Sequence, residues 1–397
     1  MSILSNRINN LAESATIKMA KLGRELAAQG VDVISLSLGE TDFFTPDFVK
    51  SAAKKAIDEN WSHYTPVSGY LDLRQAVCSK FKRDNNLDYK PENIVVSTGA
   101  KQSLANAILS IVETGDQVII PTPFWVTYQA LVDITGAEAV LLKSSLGHGY
   151  KITPEELEAA ITPRTKLFIF SSPCNPSGAV YKKDELEGLA RVFKKYPHIY
   201  IISDEIYEYI NYGGKPESIA QFDYLKDRTI IINGLSKGFA MTGWRLGYMA
   251  APVEIAKACE KLQGQFTSGT SSITQRAAIT ALTAPLDATH EMVKEFERRR
   301  KRVMELMHGI EGFKFSEPDG AFYAFPCVDF YFGKSDGEEV IKNADDLCMY
   351  LLNKAHVSTV TGSAFGDSQC LRLSFANSME NIEKGFARIT EALKKLK

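Results

Sequence analysis

No run of about 18 apolar residues, the length a helix needs to cross a bilayer, occurs anywhere in the 397-residue chain. Its opening, Met-Ser-Ile-Leu-Ser-Asn-Arg-Ile-Asn-Asn, holds no apolar stretch of a secretory signal either. An excess of either charge is also missing. Lys and Arg number 46 against 48 Asp and Glu, a formal net charge of −2, so bulk electrostatics offer nothing to a nucleic acid or an anionic membrane. The basic run Arg298-Arg-Arg-Lys-Arg302 does not change this, because Glu291, Glu295, Glu297 and Glu305 interleave with it on a solvated helix face. The six cysteines (78, 174, 259, 327, 348 and 370) form no CxxC pair and read as reduced thiols in a cytosolic protein. The six histidines show no metal-ligand spacing. Neither GxGxxG nor GxxxxGK occurs, which removes the dinucleotide fingerprint of a nicotinamide dehydrogenase and the Walker A loop. The expectation left standing is a soluble, cytoplasmic protein that works on small molecules without a metal.

What is present has the composition of a globular protein, 45% hydrophobic and 24% charged, and the length predicts two domains. Apolar runs at 94–97, 117–121, 139–143, 166–170, 199–203 and 229–232 read as strands. Helical spacing lies between most of them, at 101–113, 124–135, 154–161 and 183–196. That alternation predicts an α/β architecture with a mostly parallel sheet, whose ligands bind at the carboxyl ends of the strands. Ahead of it, spacing predicts a helix over 11–30 closing on Gly30 and a strand over 33–38. Thr45-Pro46 reads as the N-cap and first position of a helix over 47–59, and a further helix runs through about residue 85. After Pro285 come a charged helix 288–308, a helix near 343–354, a strand 371–375 and a closing helix 379–396. The expected division is a large domain over 45–289 and a smaller domain built from 1–44 with 290–397.

Chemistry-bearing residues gather at the strand ends. Strand 229–232 runs into Asn233-Gly-Leu-Ser-Lys-Gly-Phe-Ala-Met-Thr-Gly-Trp-Arg-Leu-Gly-Tyr248. Lys237, held there among small residues, is a candidate amine nucleophile; desolvation or a nearby cation would lower its ordinary pKa of roughly 10.4 enough to form a Schiff base. Arg245, eight residues on, offers a planar fork suited to a phosphate. A lone Ser-Lys pair is more often a snorkelling surface lysine, so other stretches must decide. Ser97-Thr-Gly-Ala-Lys-Gln-Ser103 turns a strand into a helix, an anion site made of free N–H groups and the helix dipole. In Pro173-Cys-Asn-Pro-Ser-Gly178, Asn175 is pushed into an extended conformation before its proline, which aims its amide out of the turn. Strand 199–203 ends at Asp204-Glu-Ile-Tyr207. A carboxylate there can hold a proton on a ring nitrogen, and the tyrosine can reach the same ligand.

Together with Gly39-Glu-Thr-Asp-Phe43, Tyr64-Thr-Pro66, Pro123-Phe-Trp125 and Leu371-Arg-Leu373, these motifs stand at matched order and spacing. The chain resembles the fold-type I pyridoxal-phosphate aminotransferases of class I/II, in particular the bacterial aspartate aminotransferases of the gamma subgroup, from Val33 to the C-terminus. The resemblance implies a seven-stranded, mostly parallel sheet in the large domain, a smaller α+β domain, pyridoxal 5'-phosphate as cofactor, and a homodimer with active sites at the subunit interface. It implies that Lys237 forms the Schiff base and then serves as general base. Asp204 would keep the ring nitrogen protonated, Asn175 and Tyr207 would hydrogen-bond the phenolic oxygen, and Trp125 would stack on the ring. Gly99, Ala100, Ser236 and Arg245 would bind the phosphate beside Lys101, with Tyr64 reaching in from the other subunit. Arg372 would take the substrate α-carboxylate, Gly39 would contact it by main chain, and Trp125 and Asn175 would lie beside it.

The implied reaction moves an amino group between L-aspartate and 2-oxoglutarate by a ping-pong mechanism, with Lys101 as the cation for the second carboxylate. Prephenate or aromatic transamination, or a β-lyase, is the alternative; a non-catalytic cofactor-binding module, such as the sensor half of a transcription regulator, is the third. Some relatives carry a cation near Ala12 and Glu13, where this chain reads Leu11-Ala-Glu-Ser-Ala-Thr16, and its absence weakens prephenate more than aspartate. Many relatives have a serine three residues before the lysine; Gly234 stands here, so Ser236 or main-chain amides replace one phosphate hydroxyl. Thr41 stands where proline is commoner, and Cys174 reads as a passive buried neighbour of Asn175.

Overall fold

The apolar runs become strands because both faces of the sheet they build are covered. The computed structural model describes residues 3–397; Met1 and Ser2, the start of the expected 1–44 segment, lie outside the described residues. Seven strands form the main sheet: β1 (Ile94–Ser97), β2 (Gln117–Thr122), β3 (Glu138–Lys143), β4 (Thr165–Ser171), β5 (Tyr200–Asp204), β6 (Thr229–Gly234) and β7 (Gly247–Ala250). Their order is β1-β7-β6-β5-β4-β2-β3, and β7 alone runs antiparallel to its neighbours. This is the fold-type I sheet. Along it Val118, Ile120, Leu167, Ile169, Ile202, Ile230 and Ile232 pack on one face, under helices Ala100–Ile111, Thr127–Thr135 and Val253–Phe266. Ile119, Phe168, Phe170 and Ile201 pack on the other, under Pro154–Ala160 and Lys183–Lys195. Each such side chain contributes about 1.5–3 kcal/mol by leaving water, and coverage on both sides explains runs without alternation.

A second apolar core gathers around Phe296, Met307, Tyr350, Leu351, Phe386 and Ile389, from the helices Asp287–His308, Ala344–Ala355 and Met379–Leu393. Beside it lie a three-stranded sheet, Val360–Thr361 against Leu371–Ser374 against Tyr323–Ala324, and a parallel pair, Ile34–Ser35 with Val357–Ser358. Tyr207 and Ile210, from the loop after β5, insert into this second core. The carboxyl end of the main sheet is thereby fastened to it.

Several expected elements are corrected. The strand expected over 33–38 keeps only Ile34–Ser35, because the Ser37 carbonyl turns away to accept from the Arg372 guanidinium at 2.5 Å. Thr45 does not cap the helix Asp47–Asp58; its hydroxyl donates to Ala240 O at 2.7 Å and accepts from Trp244 Nε1 at 2.9 Å. That threonine ties the N-terminal segment to the Lys237 motif. The helix expected over 11–30 begins at Ala15 and ends at Ala28. The one expected through residue 85 is Leu71–Lys80 followed by a π turn, Phe81–Asn85, closed by Asn86 at φ +56°. The closing helix stops at Leu393.

Strand β7 has no β-branched run to announce it; its Gly247 pairs with Gly234 of β6. A Cβ built on Gly234 would lie 2.9 Å from Gly247 Cα and 3.0 Å from Leu246 O, both backbone atoms that cannot rotate aside. Gly234→Ser is therefore expected to cost about 1–3 kcal/mol of stability, read as a lower midpoint at unchanged slope in a denaturant titration. The missing serine is a packing requirement of this chain.

Candidate active site

A cavity of about 340 Å³ opens at the carboxyl end of the main sheet, where a parallel sheet presents the loops between its strands and helices. Of the expected residues, Gly39, Ala100, Lys101, Trp125, Asn175, Asp204, Tyr207, Ser236, Lys237, Arg245 and Arg372 all line it. Tyr64 does not. It is 97% exposed on a separate surface hollow with His63, Gly269 and Thr270. Gly99 lies just behind the wall: at φ +84° it leaves room for the Arg245 guanidinium, whose Nη2 would be 2.3 Å from any Cβ there. Bare backbone is what that approach needs.

Lys237 follows β6 directly. Its ammonium contacts the Gly39 carbonyl and sits 5.8 Å from the ring centres of Tyr207 and Phe322. Burial lowers its pKa to about 8; Glu40 opposes the shift, and Arg372 and Arg245 reinforce it. The amine thus loses its proton about two pH units sooner than an ordinary lysine, which makes it available as a neutral base or nucleophile from pH about 8 upward. Glu40 is itself held by the Thr242 hydroxyl.

Asp204 ends β5, 4% exposed. Its Oδ2 accepts from the Tyr128 hydroxyl at 2.7 Å and its Oδ1 from the Ile206 amide at 3.3 Å. Burial raises its pKa to about 6 against the lowering effect of the Tyr128 hydrogen bond. A carboxylate kept in so apolar a place gains from any cationic N–H brought against it. Tyr207 pairs hydroxyl to hydroxyl with Tyr323 at 2.8 Å.

Arg372, 1% exposed, has no carboxylate partner among the described residues. Nη1 donates to Asn175 Oδ1 at 2.9 Å and Nη2 to Ser37 O, while its buried Nε has no partner. The Tyr323 and Phe365 rings lie 4.6 and 4.9 Å from the guanidinium carbon. Burial lowers its pKa from the ordinary arginine value, and a buried cation with an unsatisfied donor calls for an anion. Opposite it, Ala100 and Lys101 open helix Ala100–Ile111, whose first amides lack intrahelical acceptors. Together with Ser236 and Arg245, whose guanidinium donates to Thr242 O at 2.7 Å, they form an anion cup. The Lys101 ammonium lies 4.9 Å over the Trp125 ring.

The cavity therefore combines two anion sites, a carboxylate fit to face a ring cation, and a lowered-pKa amine between them. Pyridoxal 5'-phosphate, with its phosphate, pyridine nitrogen and aldehyde, fits that donor set. Sequence reasoning passed over Tyr128, Tyr323 and Ser37. Tyr128 stands three residues beyond Trp125, in the first turn of helix Thr127–Thr135, with the two rings edge to face at 5.8 Å, and Tyr323 sits within Gly320-Ala-Phe-Tyr-Ala-Phe325; only the fold brings Ser37 to Arg372. Ser14, Thr16 and Ile17 also reach the wall, and, as expected, supply no cation. Cys174 is buried, its pKa raised by burial, and its thiol faces the Pro123 carbonyl at 3.5 Å.

Residues 31–389 match the family Aminotransferase class I and II. The chain is 43% identical to a bifunctional aspartate aminotransferase and glutamate/aspartate-prephenate aminotransferase of Petunia hybrida, over 99% of this chain and 83% of that one. It is 42% identical to a probable aspartate/prephenate aminotransferase of Rhizobium leguminosarum bv. phaseoli, over 98% of both. Its fold superposes on the aspartate aminotransferase of Rhizobium meliloti with a TM-score of 0.96 at 40% identity, covering 100% of each chain. For the Thermus thermophilus aspartate aminotransferase solved with maleate the TM-score is 0.92 at 36% identity, over 99% of this chain and 100% of that one. With an amine, a ring-facing carboxylate and two anion sites gathered at the sheet's carboxyl edge, this chain belongs to the pyridoxal-phosphate-dependent aminotransferases of class I and II.

Proposed function

We propose that this enzyme moves the amino group of L-aspartate to 2-oxoglutarate, and that Lys237, Asp204 and Arg372 carry the reaction. The single observation behind the reading is Arg372, a buried guanidinium with a free Nε and no carboxylate of its own. Pyridoxal 5'-phosphate, when bound, supplies the aldehyde that takes the amino group and a ring that withdraws electrons. Asp204 holds the proton at the ring nitrogen, fixed in turn by Tyr128. Asn175 Nδ2 and the Tyr207 hydroxyl are the donors for the ring's phenolic oxygen. Ala100, Ser236 and Arg245, with Gly99 behind them, hold the phosphate. Arg372 fixes the α-carboxylate, with the Gly39 main chain beside it, so that the Cα proton faces Lys237. Lys237 Nζ takes that proton and returns it. Lys101 meets the second carboxylate; maleate, bound in the Thermus thermophilus relative, is such a dicarboxylate. The aspartate/prephenate names of several relatives and the apolar Ile17 and Leu38 at the wall support prephenate as a second amino acceptor.

We further propose a cytosolic homodimer in which the exposed Tyr64 serves the partner's cavity, and a division at 45–289 against 1–44 with 290–397. The separate apolar cores support that division. Sedimentation of the native enzyme should give a dimer. Tyr64→Phe should weaken cofactor retention about tenfold, the loss expected for one hydrogen bond to a charged group.

The test follows the visible spectrum of the holoenzyme during addition of single amino acids. L-aspartate and L-glutamate should convert the bound chromophore rapidly, and prephenate should convert it back. Conversion by L-phenylalanine alone would replace the dicarboxylic reading with an aromatic one, and a chromophore that no amino acid converts would end the transaminase reading. The pH profile has a definite sign. Lys237 accepts a proton only when neutral, so proton transfer should be fastest above pH about 8. Below that it should fall about tenfold per pH unit in single-turnover measurements.

A further inference from the structure

We propose that Cys327 and Cys370 form a reversible dithiol–disulfide site, reactive toward peroxides, that weakens the hold of Arg372 on carboxylates when oxidised. The two residues face each other across neighbouring antiparallel segments. Hydrogen bonds from Leu371 N to Pro326 O at 2.9 Å and from Val328 N to Gln369 O at 2.8 Å bracket them. They are therefore a non-hydrogen-bonded pair, the register in which opposing Cα atoms approach to about 4.5 Å, within the span of a disulfide. Their sulfurs stand 2.9 Å apart, and the Tyr150 hydroxyl lies 3.2 Å from one and 3.4 Å from the other. Three of the other four thiols meet an oxygen and no second sulfur: Cys174 the Pro123 carbonyl, Cys259 the Ser110 hydroxyl, Cys348 the Thr359 hydroxyl.

Access is asymmetric, as a two-step oxidation requires. Cys327 is half-buried and Cys370 fully buried. The hydrogen bond from Cys370 lowers the pKa of Cys327, while Cys370 is pushed up, so of the two it is the accessible sulfur that gives up its proton first. That thiolate attacks the O–O bond of a peroxide; one oxygen stays as Cys327 sulfenic acid and the other leaves as an alcohol or water. The Cys370 sulfur then attacks Cys327 Sγ and the hydroxyl departs as water. Two electrons pass from the thiols to the peroxide.

The pair sits against the carboxylate site. Cys370 precedes Arg372 by two positions along the chain, the spacing that puts two side chains on one face of a strand. Cys370, Tyr150, Phe325 and Phe365 share one apolar cluster. Tyr150 stacks edgewise on Phe325 at 5.4 Å and Phe325 on Phe365 at 6.1 Å, and Phe365 is one of the two rings on the Arg372 guanidinium. Oxidation removes both thiol hydrogens beside the Tyr150 hydroxyl and moves the two sulfurs from 2.9 Å to a bond of about 2.05 Å, which shifts that stack.

The dithiol chemistry is independent of the assigned reaction; only its kinetic consequence rests on the aminotransferase reading. Reduced holoenzyme is treated with hydrogen peroxide, its remaining thiols are blocked, and it is digested without reductant. A cross-linked pair of peptides bearing Cys327 and Cys370, lighter by two hydrogens and released by dithiothreitol, is expected. The KM for L-aspartate should rise about threefold with kcat held, a loss of ~0.7 kcal/mol in binding. Cys327→Ser should abolish both effects while keeping the basal kinetics. Untouched thiols, or stable sulfinic acid on Cys327 without a cross-link, would overturn the site. A cross-link that leaves KM unchanged would overturn its connection to Arg372.

Discussion

Lys237→Ala removes turnover, with kcat expected to fall at least ~10⁴-fold, since both a covalent and an acid–base role are lost. The reason lies in the surroundings of the amine. Burial lowers its pKa to about 8, and the other lysine of the cavity lining, Lys101, lies over the Trp125 ring. Single-turnover absorbance changes with L-aspartate separate this loss from misfolding. The variant should still bind the cofactor through Asp204, Ala100, Ser236 and Arg245, because none of those contacts involves the lysine. Added methylamine should restore part of the proton transfer by supplying a small neutral base. A variant that keeps a tenth of the native rate would remove Lys237 from its role.

Arg372→Met is expected to lower kcat/KM about 10²- to 10³-fold, the 2–5 kcal/mol of a truncated, buried and hydrogen-bonded charge. Arg372→Lys should recover little of it. The guanidinium is used as a fork: Nη1 on Asn175, Nη2 on Ser37 O, and Nε left over. A lysine carries the charge but has no planar pair of donors to offer a carboxylate. Because Nη1 also positions Asn175, the substitution should weaken cofactor retention slightly, whereas kcat for an amino acid at saturation should fall less than kcat/KM. Steady-state kinetics with L-aspartate and L-glutamate check the split. Equal losses in kcat and kcat/KM would mean that the arginine acts only in the transition state, contrary to its placement as an α-carboxylate anchor.

Strand periodicity read the parallel part of the main sheet almost residue for residue, because a strand buried on both faces leaves an uninterrupted apolar run such as Thr229-Ile-Ile-Ile232. Strand Gly247–Ala250 escaped that reading: two of its residues are small, and its place between β1 and β6 depends on a glycine pair, Gly234 with Gly247, that local propensity does not signal. The run 33–38 was read as too long a strand, since nothing local says that the Ser37 carbonyl serves an arginine 335 residues away. Thr45 looked like a cap for the same reason. Its hydroxyl is drawn to Ala240 and Trp244 by packing between distant segments.

The sequence by itself determined the identities of the chemical groups and their order along the chain: Lys237 after one strand, Asp204 after another, Asn175 after a third, each at a carboxyl end where a parallel sheet opens. Local chemistry suffices for that, because strand ends and glycine turns are written in neighbouring residues. Tertiary structure alone decided how those groups are tuned. Lys237 is lowered to about 8 and Asp204 raised to about 6 by burial that many segments share. Arg372 is left without an ion pair because, among the described residues, its guanidinium meets Asn175 and the Ser37 carbonyl and no carboxylate. Desolvation is a property of the whole packed molecule, and no stretch of sequence carries it.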